Sequence, residues 1–349
     1  MAELELIEQL YQVHRADPRD LLYFLDHLTQ EKIEALFTAA HNVRVENCGK
    51  AVYLRGLIEF SNYCMRQCSY CGIRKANPEV ERYRLTEEQI MNCCAEGYSL
   101  GYRTFVLQSG EDPYYTDERL CGLIRRIKAS YPEVAITLSV GERSYESYQR
   151  LYNAGADRYL LRHETASEEL YRRLHPDMDF ARRRECLQHL QEIGYQVGAG
   201  FMVGLPGQGN HELVEDLVYL QELKPQMVGI GPFIPHPKTP LGKFRGGTIE
   251  KTLIMLALTR LLLPDVLLPA TTALGTIDPL GREKALRAGA NVVMPNLSPT
   301  DVRPKYELYK DKICTGDESA HCRTCIEKRI IAAGFQVDMG RGDPIGWRR

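Results

Sequence analysis

The sequence predicts an α/β protein whose parallel strands close into a barrel, with a helical preamble ahead of it and a cysteine-bearing extension behind it. Two observations carry that prediction. From about residue 52, short apolar runs alternate with longer helical patterns, eight strands in all, and alternation on that scale builds a parallel sheet. Polar and charged residues collect at the C-terminal ends of those strands, the rim where barrel enzymes keep their working groups. An open doubly-wound sheet is the runner-up. Against it, no G-x-G-x-x-G turn follows the first strand, and a cysteine loop stands in its place.

A chain of 349 residues is long for an ordinary domain but suits a single α/β barrel. We therefore read 1–349 as one unit, with helices to about 45, the barrel over 50–300 and the extension over 301–349. A hydrophobic content of 44% with 26% charged residues is that of a soluble globular protein. The net charge of −2 gives no electrostatic case for nucleic acid or an anionic membrane. No run approaches the ~18 apolar residues of a membrane span, and the acidic start Met1-Ala2-Glu3-Leu4-Glu5 lacks the order of a signal peptide. Eleven cysteines without such a signal point to a reducing cytoplasm and to metal or redox chemistry.

In the preamble, Leu6, Ile7, Leu10 and Tyr11 share one helical face. Asp17 then Pro18 is a cap and first-turn proline opening a second helix, and Ile33, Leu36, Phe37 and Ala40 mark a third. The strands follow at 52–59, 104–108, 135–139, 158–162, 196–202, 227–231, 267–271 and 291–294. Between them lie helices at 86–100, where Thr86 and Gln89 make a capping box, and at 117–130, 143–154, 180–193, 210–223, 249–263 and 282–288.

The loop after the first strand carries Cys64, Cys68 and Cys71 in C-x3-C-x2-C spacing. Iron–sulfur clusters are usually held by four thiolates, so three leave one iron open to a small molecule. Zinc knuckles favour C-x2-C pairs with a second distant pair, and none lies nearby. With the aromatic Tyr70 just before the third cysteine, the loop resembles the signature of radical S-adenosylmethionine (SAM) enzymes. Ser109-Gly110-Glu111 after strand two resembles their Gly-Gly-Glu-type element, which contacts the SAM amino group; it also makes a good turn. The resemblance implies that Tyr70, the aromatic beside the cluster, packs near adenine, and Ser139 ends strand three on the same rim. Glu164, after strand four, can accept hydrogen bonds from SAM, and an arginine among Arg182, Arg183 and Arg184 can take its carboxylate.

A second group, Cys314, Cys322 and Cys325, lies beyond strand eight. It suits an auxiliary cluster, or zinc with His321 as fourth ligand. Cys48, Cys93, Cys94, Cys121 and Cys186 have no ligand spacing and read as buried inert thiols.

Longer strings resemble one radical SAM family, the HydE-type maturases of [FeFe]-hydrogenase, over about residues 50–330. They include Leu107-Gln108-Ser109-Gly110-Glu111-Asp112-Pro113-Tyr114-Tyr115, Leu160-Leu161-Arg162-His163-Glu164-Thr165 and Pro269-Ala270-Thr271-Thr272-Ala273. The resemblance implies a complete (β/α)8 TIM-type barrel with a [4Fe-4S] cluster and SAM near one mouth. It implies Glu164 and Arg183 as SAM contacts, and a substrate cavity lined by Gln108, Thr137, Arg162, Met227, Thr271, Thr272 and Tyr306. The Cys314/Cys322/Cys325 triad looks like that family's auxiliary site, expected as [2Fe-2S]. The implied substrate is an organometallic iron–carbonyl–cyanide–cysteine species attacked by a 5′-deoxyadenosyl radical. The implied partners are a tyrosine-cleaving radical SAM maturase, a scaffold GTPase and a reductant protein. Rival readings are a methylornithine-synthase- or biotin-synthase-like enzyme on an amino-acid-like substrate, and an iron–sulfur electron-transfer or cluster-carrier protein lacking a SAM pocket.

Overall fold

The computed structural model describes residues 3–316 and 318–347; the outermost ends of the expected 1–349 unit lie outside the described residues. Three helices lead in: α1 (Glu3–Val13), α2 (Pro18–Asp26) and α3 (Gln30–Cys48). Asp17 caps α2 by accepting from the Arg19 amide at 2.8 Å, with Pro18 in the first turn, as the sequence predicts.

The predicted first strand is two. β1 (Ala51–Leu54) and β2 (Gly56–Ser61) part at Arg55, whose buried guanidinium reaches Met227 Sδ at 2.9 Å and the Gly342 carbonyl at 3.1 Å. After α4 (Glu87–Ser99) come β3 (Thr104–Ser109), α5 (Asp117–Ser130), β4 (Ala135–Ser139), α6 (Tyr145–Ala154) and β5 (Arg158–Leu160). The Thr86/Gln89 capping box forms as predicted. Next are α7 (Glu168–Leu174), too short for periodicity to reveal, then α8 (Phe180–Ile193), β6 (Gln196–Ala199) and β7 (Met202–Val203). The predicted strand over 196–202 breaks at Gly200, where φ is +143° and an added Cβ would stand 2.1 Å from the Gly229 carbonyl oxygen. Only glycine fits there.

The chain continues through α9 (Asn210–Leu223), β8 (Met227–Val228), β9 (Gly231–Pro232) and α10 (Ile249–Leu262). α10 is buried from Thr252 to Leu262 and packs against α3, α9 and α12 (Gly281–Arg287), which follows α11 (Thr272–Ile277). The predicted strand at 267–271 forms only isolated bridges, Leu267 to Met227 and Pro269 to Val292. β10 (Val292–Val293), a 3-10 turn at Arg303–Lys305, α13 (Ser319–Ala332) and β11 (Gln336–Asp338) are the remaining elements among the described residues.

One parallel sheet runs β2-β3-β4-β5-β6-β8, and β1 lies between β10 and β11 in a second. At the strand starts the tail packs across the sheet. Arg158, fully buried, donates to Gln196 Oε1 at 2.6 Å, the Arg341 carbonyl at 2.7 Å and Asp343 Oδ1 at 2.7 Å. Among the described residues no helix is long and apolar enough to cross a membrane.

Candidate active site

The cysteine loop leaves β2 and is stitched to the exit of β3. Gly110 N donates to the Ser61 carbonyl at 3.1 Å, Met65 N to the Glu111 carbonyl at 2.9 Å, and Ser61 Oγ to Asp112 at 2.7 Å. Gly110 is obligatory here, since a Cβ would meet the Tyr63 oxygen at 2.3 Å and Cys64 Cβ at 2.6 Å.

Cys64, Cys68 and Cys71 all face one cavity of about 370 Å³. Burial, with the charge of Cys64, pushes the Cys71 thiol up to about 12; burial and both neighbouring cysteines push Cys68 well above its usual value. Three adjacent half-buried thiolates with raised pKa values are therefore favoured only around a positive centre, which an iron–sulfur cluster provides. Among the described residues no three His, Cys, Asp or Glu side chains could hold a single metal ion. A multi-iron cluster takes each thiolate at a different iron, so its ligands need not converge on one point. The residues fit the cluster.

Beside the cysteines lies an alternating network of charge. Arg66, inside the loop, pairs with Glu111 and stands 3.6 Å from Glu142. Glu142 in turn holds Arg183 at 2.6 Å. Burial raises the Glu111 carboxyl, opposed chiefly by Arg66. Gly141, at φ +80°, leaves room for Glu111, whose Cγ would lie 1.9 Å from any Cβ there. Glu164 sits at φ +66°, a strained conformation for a side-chain-bearing residue of the kind that gathers at functional sites. It takes a two-pronged ion pair from Arg162, at 3.1 and 2.6 Å. Tyr70, Ser109, Gly110, Glu111, Ser139, Glu164 and Arg183 all line this cavity.

Of the expected substrate residues, Gln108, Arg162, Thr271, Thr272 and Tyr306 also line it, and Gln108 donates to Tyr306 Oη at 3.4 Å. Thr137 and Met227 are not among its lining residues. Thr137 stands one inward layer below Ser139 on β4, buried with its Oγ1 unpartnered among the described residues. Met227 is taken up by Arg55 and by an apolar cluster with Leu267 and Val292.

Sequence reasoning missed Arg66 and Glu142, although both stand in segments it had singled out. It also missed Glu59 and Lys312, which pair on the cavity wall with Asn296 Nδ2 donating to Glu59 at 2.8 Å. Lys312 carries no motif that could have signalled it. The cavity reaches Cys314 and Cys322, whereas Cys325 is exposed. Arg282 approaches Cys314 Sγ at 3.7 Å and donates to Thr272 Oγ1 at 3.1 Å. His321, the alternative zinc ligand, is exposed. Cys93, Cys94, Cys121 and Cys186 are buried thiols, and Cys48 is half-buried.

Residues 58–220 match the family model described as the Radical SAM superfamily. The chain is 50% identical over 301 residues to the [FeFe] hydrogenase maturase subunit HydE of Thermotoga maritima, covering 86% of each protein. It is 31% identical over 296 residues to the 3-methylornithine synthase of Methanosarcina acetivorans, covering 84% of this chain and 83% of that one. Among solved structures it resembles methylornithine synthase (PylB) with a TM-score of 0.83 at 28% identity, covering 95% of this chain and 97% of that one.

Proposed function

The chain belongs to the [FeFe]-hydrogenase maturase HydE family of radical SAM enzymes, and on that premise we propose that it acts on an iron–carbonyl–cyanide–cysteine precursor inside the barrel. It is a radical SAM enzyme of hydrogenase maturation. The observation that carries the reading is the single cavity joining the three-cysteine loop, Glu111 and Arg183, and the Arg162–Thr271–Thr272 wall.

Cys64, Cys68 and Cys71 would hold the [4Fe-4S] cluster, which when bound supplies the electron that cleaves SAM. Glu111 takes the SAM ammonium group, and Arg183 grips its carboxylate with a planar fork that Glu142 orients. Glu164 accepts hydrogen bonds from SAM, with Tyr70 against the adenine and Ser109, Gly110 and Ser139 completing the contact. Arg162, Gln108, Thr271, Thr272 and Tyr306 position the anionic substrate, with Thr137 and Met227 supporting them from below. The apolar walls exclude water, protecting a reactive radical from quenching.

We read residues 1–349 as one radical SAM domain with a complete (β/α)8 barrel. The bridges Met227–Leu267, Pro269–Val292 and Leu57–Asn296, with the β1–β10 pairing, support closure of the ring. The closeness of Cys314 and Cys322 supports an auxiliary [2Fe-2S] cluster, with Cys325 turning in to complete its ligands. A cytoplasmic site fits eleven cysteines that are all free thiols. The protein partners are a tyrosine-cleaving radical SAM maturase, a scaffold GTPase and a reductant protein.

The test is anaerobic reconstitution and dithionite reduction, followed by assay of SAM cleavage to 5′-deoxyadenosine and of hydrogenase maturation in vitro. No 5′-deoxyadenosine would sink the enzyme reading. Its formation with no gain in hydrogenase activity would remove the proposed substrate.

A further inference from the structure

The cysteine loop is braced from outside by the segment that ends α7. Ser69 N donates to the Leu174 carbonyl at 2.8 Å and Ser69 Oγ to the Arg173 carbonyl at 3.0 Å. Gln67 N donates to the Asp177 carboxylate at 3.1 Å. At the centre of this brace is His175, 1% exposed, whose Nδ1 lies 3.3 Å from Cys68 Sγ. The ring is wedged between Tyr171, 4.4 Å away between centroids, and the edge of Tyr70 at 5.5 Å. Its Nε2 has no partner among the described residues. Among the described residues the only polar contact of this buried imidazole is thus a cysteine of the cluster loop.

We propose that His175 is a positioning residue that donates Nδ1–H to the Cys68 sulfur and thereby raises the reduction potential of the cluster. The inference rests on the reading that Cys64, Cys68 and Cys71 hold a [4Fe-4S] cluster. A thiolate bound to iron offers only lone pairs, so the nitrogen facing it carries the hydrogen. A hydrogen bond to a ligand sulfur withdraws charge from it. That favours the reduced cluster, which carries one more negative charge, and hydrogen bonds to sulfur are among the factors that set cluster potentials. The tyrosine wedge fixes the ring, so the hydrogen bond is built into the fold and is present before SAM arrives.

The test is an EPR-monitored redox titration of reconstituted wild type, His175→Phe and His175→Asn, with iron counted in each. His175→Phe fills the space without a donor, so the midpoint shifts to lower potential at unchanged iron content. His175→Asn, whose carboxamide N–H can donate, moves it back toward wild type. An unchanged midpoint in His175→Phe overturns the proposal, as does a His175→Asn midpoint equal to that of a shifted His175→Phe. A second readout does not depend on a variant that folds: pulsed EPR of the reduced wild-type cluster, labelled with [15N]histidine, shows a histidine nitrogen coupling. Absence of that coupling overturns the proposal too. Wild-type protein that binds no cluster would instead strike at the functional reading beneath it.

Discussion

Arg66, from inside the cysteine loop, holds the Glu111 carboxylate at the exit of β3, and the same guanidinium stands 3.6 Å from Glu142. The carboxylate proposed to receive the SAM ammonium is thus already matched to a cation. Burial favours the protonated form of Glu111 and Arg66 opposes it, so the guanidinium holds the site's negative charge ready for exchange. Glu111→Gln keeps the shape and removes the charge. A hydrogen bond to a charged group contributes about 1.5–3 kcal/mol, so SAM affinity should fall roughly ten- to a hundredfold while iron content is retained. Equilibrium binding of SAM to the reconstituted protein checks this; an unaltered Kd would remove Glu111 from the site.

Glu142 is predicted to matter for stability as well as for SAM. Its partner Arg183 is buried, and the Glu142–Arg183 contact at 2.6 Å is a charge pair with both side chains under a tenth exposed. Removing one member of such a pair strands the other, at a cost of about 3 kcal/mol. Glu142→Ala should lower stability by that order in urea unfolding of the apoprotein. A change under about 0.5 kcal/mol, the usual range for an unconstrained surface site, would mean that Arg183 is held by its bond to the Arg162 carbonyl alone.

The two cysteine groups should separate cleanly. Cys68→Ala removes one of three ligands and should abolish both the [4Fe-4S] signal and SAM cleavage. Cys322→Ala should lower iron content and leave SAM cleavage largely intact, because the charged neighbours of Cys322 are Cys314, Arg303 and Arg282, none of them assigned to SAM. Iron analysis paired with a 5′-deoxyadenosine assay reads both. Cleavage that survives in Cys68→Ala would refute the cluster assignment.

Much of this site was legible because barrel chemistry sits at strand ends, and strand ends can be read from where apolar runs stop. Glu111, Ser139, Glu164 and Arg162 were found that way. What escaped was set by tertiary contact. The split at Arg55 and the break at Gly200 come from neighbouring backbone and a buried guanidinium, neither visible in local pattern. His175 and Lys312 belong to segments remote in sequence from the cysteine loop and from Glu59 that the fold brings alongside. Thr137 and Met227 were expected only from the family resemblance, and both lie off the cavity lining, Met227 against Arg55. The tail from Gln336 onward offered only glycines and arginines. Its role emerges from the pairing of β11 with β1 and from Asp343 reaching Arg158.

That tail carries the last prediction. Burial alone would raise the Asp343 carboxyl, but hydrogen bonds from Arg341 and Gln196 and the charge of Arg158 override it and hold it below the usual carboxylate range. A carboxyl depressed in the folded state contributes its full stability above its unfolded value, near 4, and loses it as pH falls from there through the folded value. Asp343→Asn removes the charge facing the fully buried Arg158, so at pH 7 it should cost about 3 kcal/mol. As pH drops below about 4, the unfolded wild-type chain takes up the proton while folded Asp343 stays ionised, so the gap between the two proteins should narrow progressively. Urea unfolding of both proteins across pH 3 to 7 measures this. A gap that stays constant down to pH 3 would show that Asp343 holds Arg158 by shape and neutral hydrogen bonding, and that its charge contributes nothing.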